Sequence, residues 1–211
     1  MTEASFRTQR SKKNATAVPP RGDKRERILR GAIQTFARKG FYTARVSDIA
    51  KAAGVADGTI YLYFKNKDDI LVSLFEERFD RLISTLRREL PALPDAVSRI
   101  RHLISIQLGA MESHRDLAEV ITVNLRQSTR FLRQYAAPRF EEYLDVMASV
   151  IADGQREGSL RQDLSPMIVA RAIFGSIDGL TLTWALGSAG PGELTRAAVQ
   201  LTDVIVRGLS A

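Results

Sequence analysis

The chain has 211 residues, of which 31 are Lys or Arg and 24 are Asp or Glu, so its formal net charge is +7. Its 45% hydrophobic content is enough to bury a core, and because it has no cysteine we exclude disulfides, thiolate catalysis and cysteine-ligated zinc. No stretch approaches the roughly 18 consecutive apolar residues of a membrane span, and residues 1–20 lack a signal-peptide core, so we expect a cytoplasmic protein.

The positive charge is concentrated at the N-terminal end. Residues 1–67 carry 15 basic and 5 acidic side chains, a net +10, whereas residues 68–211 carry 16 basic and 19 acidic, a net −3. This asymmetry is typical of a segment that binds a polyanion such as DNA, because each Lys or Arg placed against a phosphate releases counterions. An anionic membrane surface would also attract it, so charge alone leaves both open.

The composition divides the chain into three parts. Residues 1–22 are basic and poor in large apolar groups, which predicts a flexible tail. From Asp23, the presumed N-cap, apolar residues recur every three or four positions up to Gly40, which indicates a helix. We expect a DNA-binding domain over 23–67 and a larger domain over 68–211.

The remaining segments also have helical periodicity. Two short helices are predicted over 46–53, ending at Gly54, and over 57–64, and a long one runs from Lys67 to about Pro91. Beyond it the pattern predicts helices near 95–112, 116–129, 131–157, 164–187 and 191–209, with none of the sustained alternation of a strand. The sequence therefore predicts an all-α protein.

The stretch AGVADGTIYLYFKNKDDIL follows the first predicted helix of a helix-turn-helix, in which the second helix enters the DNA major groove. It resembles the TetR family of bacterial transcriptional regulators, and the correspondence extends from Arg25 to Phe75. The resemblance implies a three-helix DNA-binding domain, a C-terminal ligand-binding and dimerisation domain, and a palindromic double-stranded operator as partner.

Several residue types in this motif have chemistry that suits DNA. Gly58 leaves room for the backbone to approach the duplex, and the hydroxyls of Thr59, Tyr61 and Tyr63 can reach phosphates or base edges. Lys67 stands at a helix N-terminus, where its ammonium and the backbone N–H groups are expected to bind one phosphate. Lys65 is predicted to contact DNA as well. Tyr61 has a second interpretation, as a ring that covers the edge of the small core.

The sequence departs from the usual family pattern at two positions. Arg45 stands where Ser or Thr often caps the second helix, and it can hold a phosphate but cannot cap. Asp57 occupies a position that is frequently basic or polar, and its carboxylate can accept from cytosine but repels phosphate. Both residues are predicted DNA contacts that alter the operator sequence.

Two predicted helices have faces suited to a homodimer. Gly175, Gly179 and Thr183 repeat every four residues beside Ala172 and Ser176, which lets another helix approach closely. The helix over 191–209 has an apolar stripe: Leu194, Ala197, Ala198, Leu201, Val204, Ile205 and Leu209. Two such helices from each subunit would form a four-helix interface, although the same stripes can pack within one subunit.

The segments NLRQS (124–128) and RAIFGSIDGLTLTWAL (171–186) resemble the FadR type within the TetR family, the acyl-CoA-responsive regulators of fatty-acid degradation. This resemblance implies long-chain acyl-CoA as the effector and no other cofactor. The residues predicted to line an apolar tunnel are Leu108, Met111, Val123, Ile173, Phe174, Ile177 and Trp184. Those predicted to meet the coenzyme A phosphates are Arg126, Arg130 and Arg133.

Other functions receive less support from the residues. The two histidines, His102 and His114, lack an i, i+4 partner, and no glycine-rich phosphate loop is present, so neither catalysis nor a metal site is expected. A repressor that responds to a different hydrophobic molecule, and a constitutive DNA-binding protein without a ligand, are both compatible with the sequence.

Overall fold

A computed structural model describes residues 21–124, 136–188 and 190–210, and in these ranges the chain forms α-helices and no β-strand. The helices are α1 Arg21–Lys39, α2 Val46–Ala53, α3 Asp57–Ile60, α4 Lys67–Glu89, α5 Ala96–Ser113, α6 Arg115–Glu119, α7 Ala136–Arg156, α8 Pro166–Leu186 and α9 Glu193–Leu209. A 3₁₀ turn, Leu90–Ala92, follows α4, and a π-helical turn, Val120–Asn124, follows α6. The all-α prediction is confirmed.

The N-terminal helices α1, α2 and α3 enclose a small core built from side chains at helical spacing. Ile28, Phe36, Ile49 and Ile60 are fully buried, and Phe64 closes the core from the segment after α3. Gly40 and Gly54 end α1 and α2 in the left-handed conformation, at φ 72° and 64°, which side chains with a Cβ rarely adopt. The predicted stops of both helices are confirmed.

Helix limits differ from the predictions at three places. Asp23 lies inside α1, which includes Arg21, and therefore does not cap it. The predicted helix over 57–64 is α-helical only to Ile60, whose carbonyl then accepts from the N–H groups of both Tyr63 and Phe64. The predicted helix over 116–129 is divided into α6 and the π-helical turn, and residues 125–135 lie outside the described ranges.

The larger C-terminal part is a bundle of α4 to α9. Helix α4 packs on α7, α7 on α8, and α5 on α9, and α6 joins the bundle to α1. A buried polar contact is made by the Tyr143 hydroxyl, which donates to Gln107 Oε1 in the interior. Burial raises the pKa of the Tyr143 phenol, so it remains a neutral donor.

Several helix ends are capped by side chains from distant helices. Arg27 Nη2 donates to the carbonyls of Ala53 and Gly54, both at 2.8 Å, and closes the end of α2. Arg115 donates to the carbonyls of Trp184 at 3.2 Å and Ala185 at 3.3 Å. These contacts satisfy carbonyls that have no partner within their own helices.

Candidate DNA interface and effector cavity

The loop between α1 and α2 and the start of α4 form the base of the predicted DNA interface. Arg45 precedes α2 and its side chain makes no cap, as predicted; Asp48 Oδ2 instead accepts from the Arg45 N–H at 3.1 Å. Lys39 Nζ lies 2.8 Å from Asp48 Oδ1, and this pair, followed by the Arg45 N–H, lowers the pKa of the Asp48 carboxyl. The carboxylate therefore remains charged and fixes the start of α2.

The segment from α3 to α4 presents most of the predicted DNA contacts to solvent. Asp57, Gly58 and Lys65 are exposed, Tyr61 is 59% exposed, and Thr59 is half-buried. No atom lies within 4 Å of a Cβ built at Gly58, so the space over it is open to a ligand such as DNA. Tyr63 is half-buried, because its ring packs against the core.

Lys67 has a different role from the predicted one. Its ammonium donates to the carbonyls of Phe41 at 2.5 Å, Tyr42 at 3.0 Å and Ala44 at 3.0 Å, and lies 4.6 Å from the centroid of the Phe41 ring. An ammonium has three hydrogens, so these carbonyls occupy its donors. The predicted phosphate contact of this side chain is therefore corrected: Lys67 fixes α4 to the loop before α2.

Two features of this interface were not predicted. Leu62 is 78% exposed and stands between the predicted DNA-contacting tyrosines. The inward spacing of Ile60 and Phe64 was a signal for this, since it leaves Leu62 outside. Gly31 lets α1 and α2 meet, because a Cβ there would lie 2.8 Å from the Ala53 nitrogen.

A cavity of about 690 Å³ lies within the C-terminal bundle, between α4, α5, α6, α7 and α8. Its walls are largely apolar and include Phe75 and Phe79 of α4, Phe140 of α7 and Phe174 of α8, with the rings of Phe140 and Phe174 4.7 Å apart. Its volume falls in the range of small-molecule sites, roughly 300–1,000 Å³. One face of α4 thus forms a wall of the cavity while its first residue holds the DNA-binding part.

The predicted tunnel residues divide between the cavity and the core. Met111, Phe174 and Ile177 line the cavity. Leu108, Ile173 and Trp184 are instead buried core residues and Val123 is half-buried, and none of these four is among the described residues that line the cavity. Arg126, Arg130 and Arg133 lie outside the described residues.

The predicted dimer face is uncovered on α8 but only partly on α9. Ala172, Gly175, Gly179 and Thr183 are exposed, as are the larger Ile168 and Leu186 at 61% and 67%. On α9, Leu194, Ala198 and Leu209 are buried within the subunit, where the helix packs on α5, which corrects that part of the stripe. Val204 is 67% exposed and faces outward.

Helix α8 is also long and apolar enough to cross a membrane by length and composition, with 33% of that stretch buried.

A helix-turn-helix joined by one long helix to a hollow helical bundle defines a ligand-responsive DNA-binding regulator. Residues 28–74 match the family described as "Bacterial regulatory proteins, tetR family", and residues 75–208 match "YsiA-like protein, C-terminal region". The chain belongs to the TetR family of transcriptional regulators, whose members bind operator DNA as dimers and are not enzymes.

Relatives with similar sequence and structure are known. The fatty acid metabolism regulator protein of Bacillus subtilis (strain 168) is 33% identical over 182 residues, which cover 86% of this chain and 93% of the relative. The fatty acid degradation regulator FadR of Bacillus halodurans superposes with a TM-score of 0.85 at 32% identity, over 90% of this chain and 98% of that one. FadR of Bacillus subtilis in complex with stearoyl-CoA gives 0.82 at 33% identity, over 87% and 98%.

Proposed function

We propose that this protein is a repressor that long-chain acyl-CoA releases from its operator, and that it controls genes of fatty-acid degradation in the bacterial cytoplasm. The observation that carries the proposal is the apolar cavity of about 690 Å³ beside α4. Its aromatic walls suit an acyl chain, and a similar regulator is known in complex with stearoyl-CoA.

On DNA, the recognition segment 57–65 enters the major groove of each half-site. The residues proposed to contact the operator are Arg45, Asp57, Gly58, Thr59, Tyr61, Tyr63 and Lys65. Arg45 and Lys65 neutralise phosphates, whereas Thr59 and Tyr61 read base edges or the groove surface. Residues 23–67 are the proposed DNA-binding domain and 68–211 the proposed effector and dimerisation domain, whereas residues 1–20 of the predicted tail over 1–22 lie outside the described residues and residues 21 and 22 belong to α1.

The dimer forms through the uncovered faces of α8 and α9. Gly175 and Gly179 let α8 approach its counterpart closely, and Ile168, Leu186 and Val204 supply apolar area at the edges. This interface also explains why an apolar helix is only partly covered within one subunit. A dimer sets the distance between the two recognition segments, which must match the spacing of the operator half-sites.

Helix α4 transmits effector binding to the DNA-binding part. An effector releases DNA only if it binds the DNA-incompetent arrangement more tightly than the competent one. Phe75 and Phe79 contact the cavity while Lys67 holds the loop before α2, so a tilt of α4 that accommodates an acyl chain moves the recognition segments.

A gel-shift titration tests the proposal. Operator DNA bound to the protein is titrated with palmitoyl-CoA, shorter acyl-CoA thioesters, free CoA and palmitate, and palmitoyl-CoA is expected to release it at the lowest concentration. If no acyl-CoA of any chain length releases DNA, the effector assignment fails. Release by another hydrophobic compound would then favour a different effector, and release by none would favour a constitutive DNA-binding protein.

A further inference from the structure

Two faces of α4 meet different parts of the molecule within little more than one turn. Phe75 and Phe79 line the apolar cavity, whereas Glu77, between them in the chain, forms an ion pair with Arg25 of α1. The same stretch of α4 therefore contacts both the place where an effector would lie and the DNA-binding part.

Arg25 joins α4 to the end of the recognition segment. Besides its ion pair with Glu77, its guanidinium carbon lies 5.3 Å from the centroid of the Phe64 ring. A planar guanidinium can lie over an aromatic ring and still offer N–H donors to a carboxylate. One side chain thus contacts α4 and the residue that closes the core behind the recognition segment.

The carboxylate of Glu77 is held in position on α4. Its Oε1, the oxygen paired with Arg25, is shielded from water, and its Oε2 lies 3.6 Å from Arg81 Nη2, one turn further along the helix. Shielding from water strengthens a charge pair relative to a fully exposed one. Because the carboxylate is fixed on α4, Arg25 follows any movement of that helix.

The Arg25 contact is well separated from the Lys67 contact along α4. Lys67 binds the first turn of α4 to the loop before α2. Glu77 stands ten residues later, about 15 Å along the helix axis at 1.5 Å per residue. A body attached at one point can pivot there, whereas two separated attachments fix its angle. A tilt of α4 therefore turns the recognition segment only while both attachments hold.

We propose that Arg25 is a positioning residue that fixes the angle of the recognition segment relative to α4, and that effector binding reaches DNA through it as well as through Lys67. The inference rests on the proposed acyl-CoA response and adds the residue that makes α4 an effective lever. Without the Arg25 contacts, α4 would pivot about Lys67 and tilt without carrying the recognition segment along.

The test separates coupling from binding. Operator affinity is measured with and without saturating palmitoyl-CoA for the parent dimer, Arg25→Gln, Arg25→Lys, Glu77→Gln and the double variant of Arg25→Gln with Glu77→Gln. Affinity for palmitoyl-CoA in the absence of DNA is measured by calorimetry. The control is Arg156→Gln, because Arg156 is an exposed arginine paired with Asp153 in its own helix, α7.

The informative quantity is the factor by which palmitoyl-CoA weakens operator binding, because this ratio cancels any direct effect of a lost charge on DNA affinity. Arg25→Gln and Glu77→Gln are each expected to lower the factor by about tenfold and to leave palmitoyl-CoA binding to the free protein unchanged. Arg25→Lys keeps the ion pair but not the planar guanidinium, so its loss should be smaller. The double variant should lose no more than either single one, because both substitutions remove the same contact.

Two results would overturn the inference and leave the proposed function standing. One is an Arg25→Gln variant that palmitoyl-CoA releases from the operator by the same factor as the parent. The other is an equal loss in Arg156→Gln, which would show that removing any exposed ion pair has this effect.

Amide hydrogen exchange tests the same contact without effector or DNA. The N–H groups of Tyr63 and Phe64 donate to the Ile60 carbonyl, and Glu77→Gln on the distant α4 should speed their exchange by about threefold or more, whereas Arg156→Gln should not. If palmitoyl-CoA does not weaken operator binding of the parent, the proposed function fails and exchange alone decides. Unchanged exchange in Glu77→Gln would then overturn the inference.

Discussion

The DNA-binding part and the effector part of this chain differ in packing, because the first has a filled core and the second contains a cavity. In residues 21–67, Gly31 brings two helices into backbone contact, and buried apolar side chains that include Ile28, Phe36, Ile49 and Ile60 fill the small core. In the bundle beyond Lys67, the helices leave an unfilled volume of about 690 Å³, and a second one of about 520 Å³ lies where α1 meets the bundle. A solid region keeps its shape and can present fixed groups to DNA, whereas a hollow one can be reshaped by what fills it.

The boundary between these regions is as informative as their interiors. Lys67 holds α4 to the DNA-binding part through three carbonyls, and Arg25 with Glu77 adds an ion pair further along the same helix. Through these contacts, a change in the hollow region reaches the solid one along α4.

The largest effect is expected from Gly31→Ala in the solid region. The new Cβ would lie 2.8 Å from the Ala53 nitrogen and 3.1 Å from the Ile49 oxygen, and backbone atoms cannot rotate away. We expect a loss of about 3 kcal/mol in the free energy of unfolding, together with loss of operator binding. Denaturant unfolding and operator titration measure both.

Gly109→Ala is the matched control for that substitution. Gly109 lies inside α5, and no atom is within 4 Å of a Cβ built there. Because glycine is unfavourable in a helix interior, alanine should stabilise the protein by roughly 0.5 kcal/mol. Equal effects of the two substitutions would contradict the close contact of α1 and α2.

Lys67→Met tests the link between the regions. Three carbonyls lose a charged donor, so we expect a loss of about 2 kcal/mol in stability and weaker binding to every DNA sequence. Because the ammonium does not face phosphate, the salt dependence of binding should stay unchanged. Lys65→Met, at an exposed neighbour, should instead lower the slope of log affinity against log salt by about one.

The slope of log affinity against log salt shows whether the Lys67 ammonium binds phosphate. If Lys67→Met lowers the salt slope as Lys65→Met does, its ammonium binds phosphate after all and the carbonyl contacts do not persist on DNA.

Tyr143→Phe tests the polar contact inside the hollow region. The substitution leaves Gln107 Oε1, in a residue that lines the apolar cavity, without its buried donor. We expect a loss of about 1.5 kcal/mol in stability, since an unsatisfied buried acceptor costs roughly 1–3 kcal/mol. Tyr61→Phe removes an exposed hydroxyl and should change stability by less than about 0.5 kcal/mol. A similar loss for both variants would mean that the hydrogen bond of Tyr143 to Gln107 contributes little to the free energy of unfolding.

The same division decides how much the sequence alone could predict. In the solid region the glycine ends of α1 and α2 were predicted, because each glycine directly follows the helical periodicity of its neighbours in the chain. In the bundle, periodicity identified the apolar face of each helix but not which apolar residues meet each other and which meet a cavity. Leu108 and Ile173 were therefore misplaced, although Phe174 was not.

Contacts between distant residues were the other limit. Arg27 caps a helix end 26 residues away, and Arg115 caps one about 70 residues away, so no local pattern contains the partner. For Lys67, the spacing correctly placed the residue at the start of α4, but only the packed structure turns its ammonium toward the carbonyls of the preceding loop.

The smallest effect is expected at such a distant cap in the bundle. Glu112, at the end of α5, accepts from the N–H groups of Leu194 at 3.1 Å and Thr195 at 3.2 Å and from the Thr195 hydroxyl, at the start of α9. Glu112→Gln keeps the shape and removes the charge, so we expect a loss of about 1 kcal/mol at neutral pH.

The pH dependence of that loss identifies its cause. The Thr195 hydroxyl, followed by the backbone N–H groups, lowers the pKa of the Glu112 carboxyl below its ordinary value of 4.5. A group whose pKa is lower in the folded state stabilises the fold above its ordinary pKa and loses that contribution as the pH falls through the lowered value. The parent and Glu112→Gln should therefore differ in unfolding free energy at pH 7 and converge under acid, whereas Glu193→Gln, exposed at the start of α9, should differ little from the parent at either pH. A difference between the parent and Glu112→Gln that persists unchanged into acid would mean that the carboxylate's charge does not hold α9 to α5.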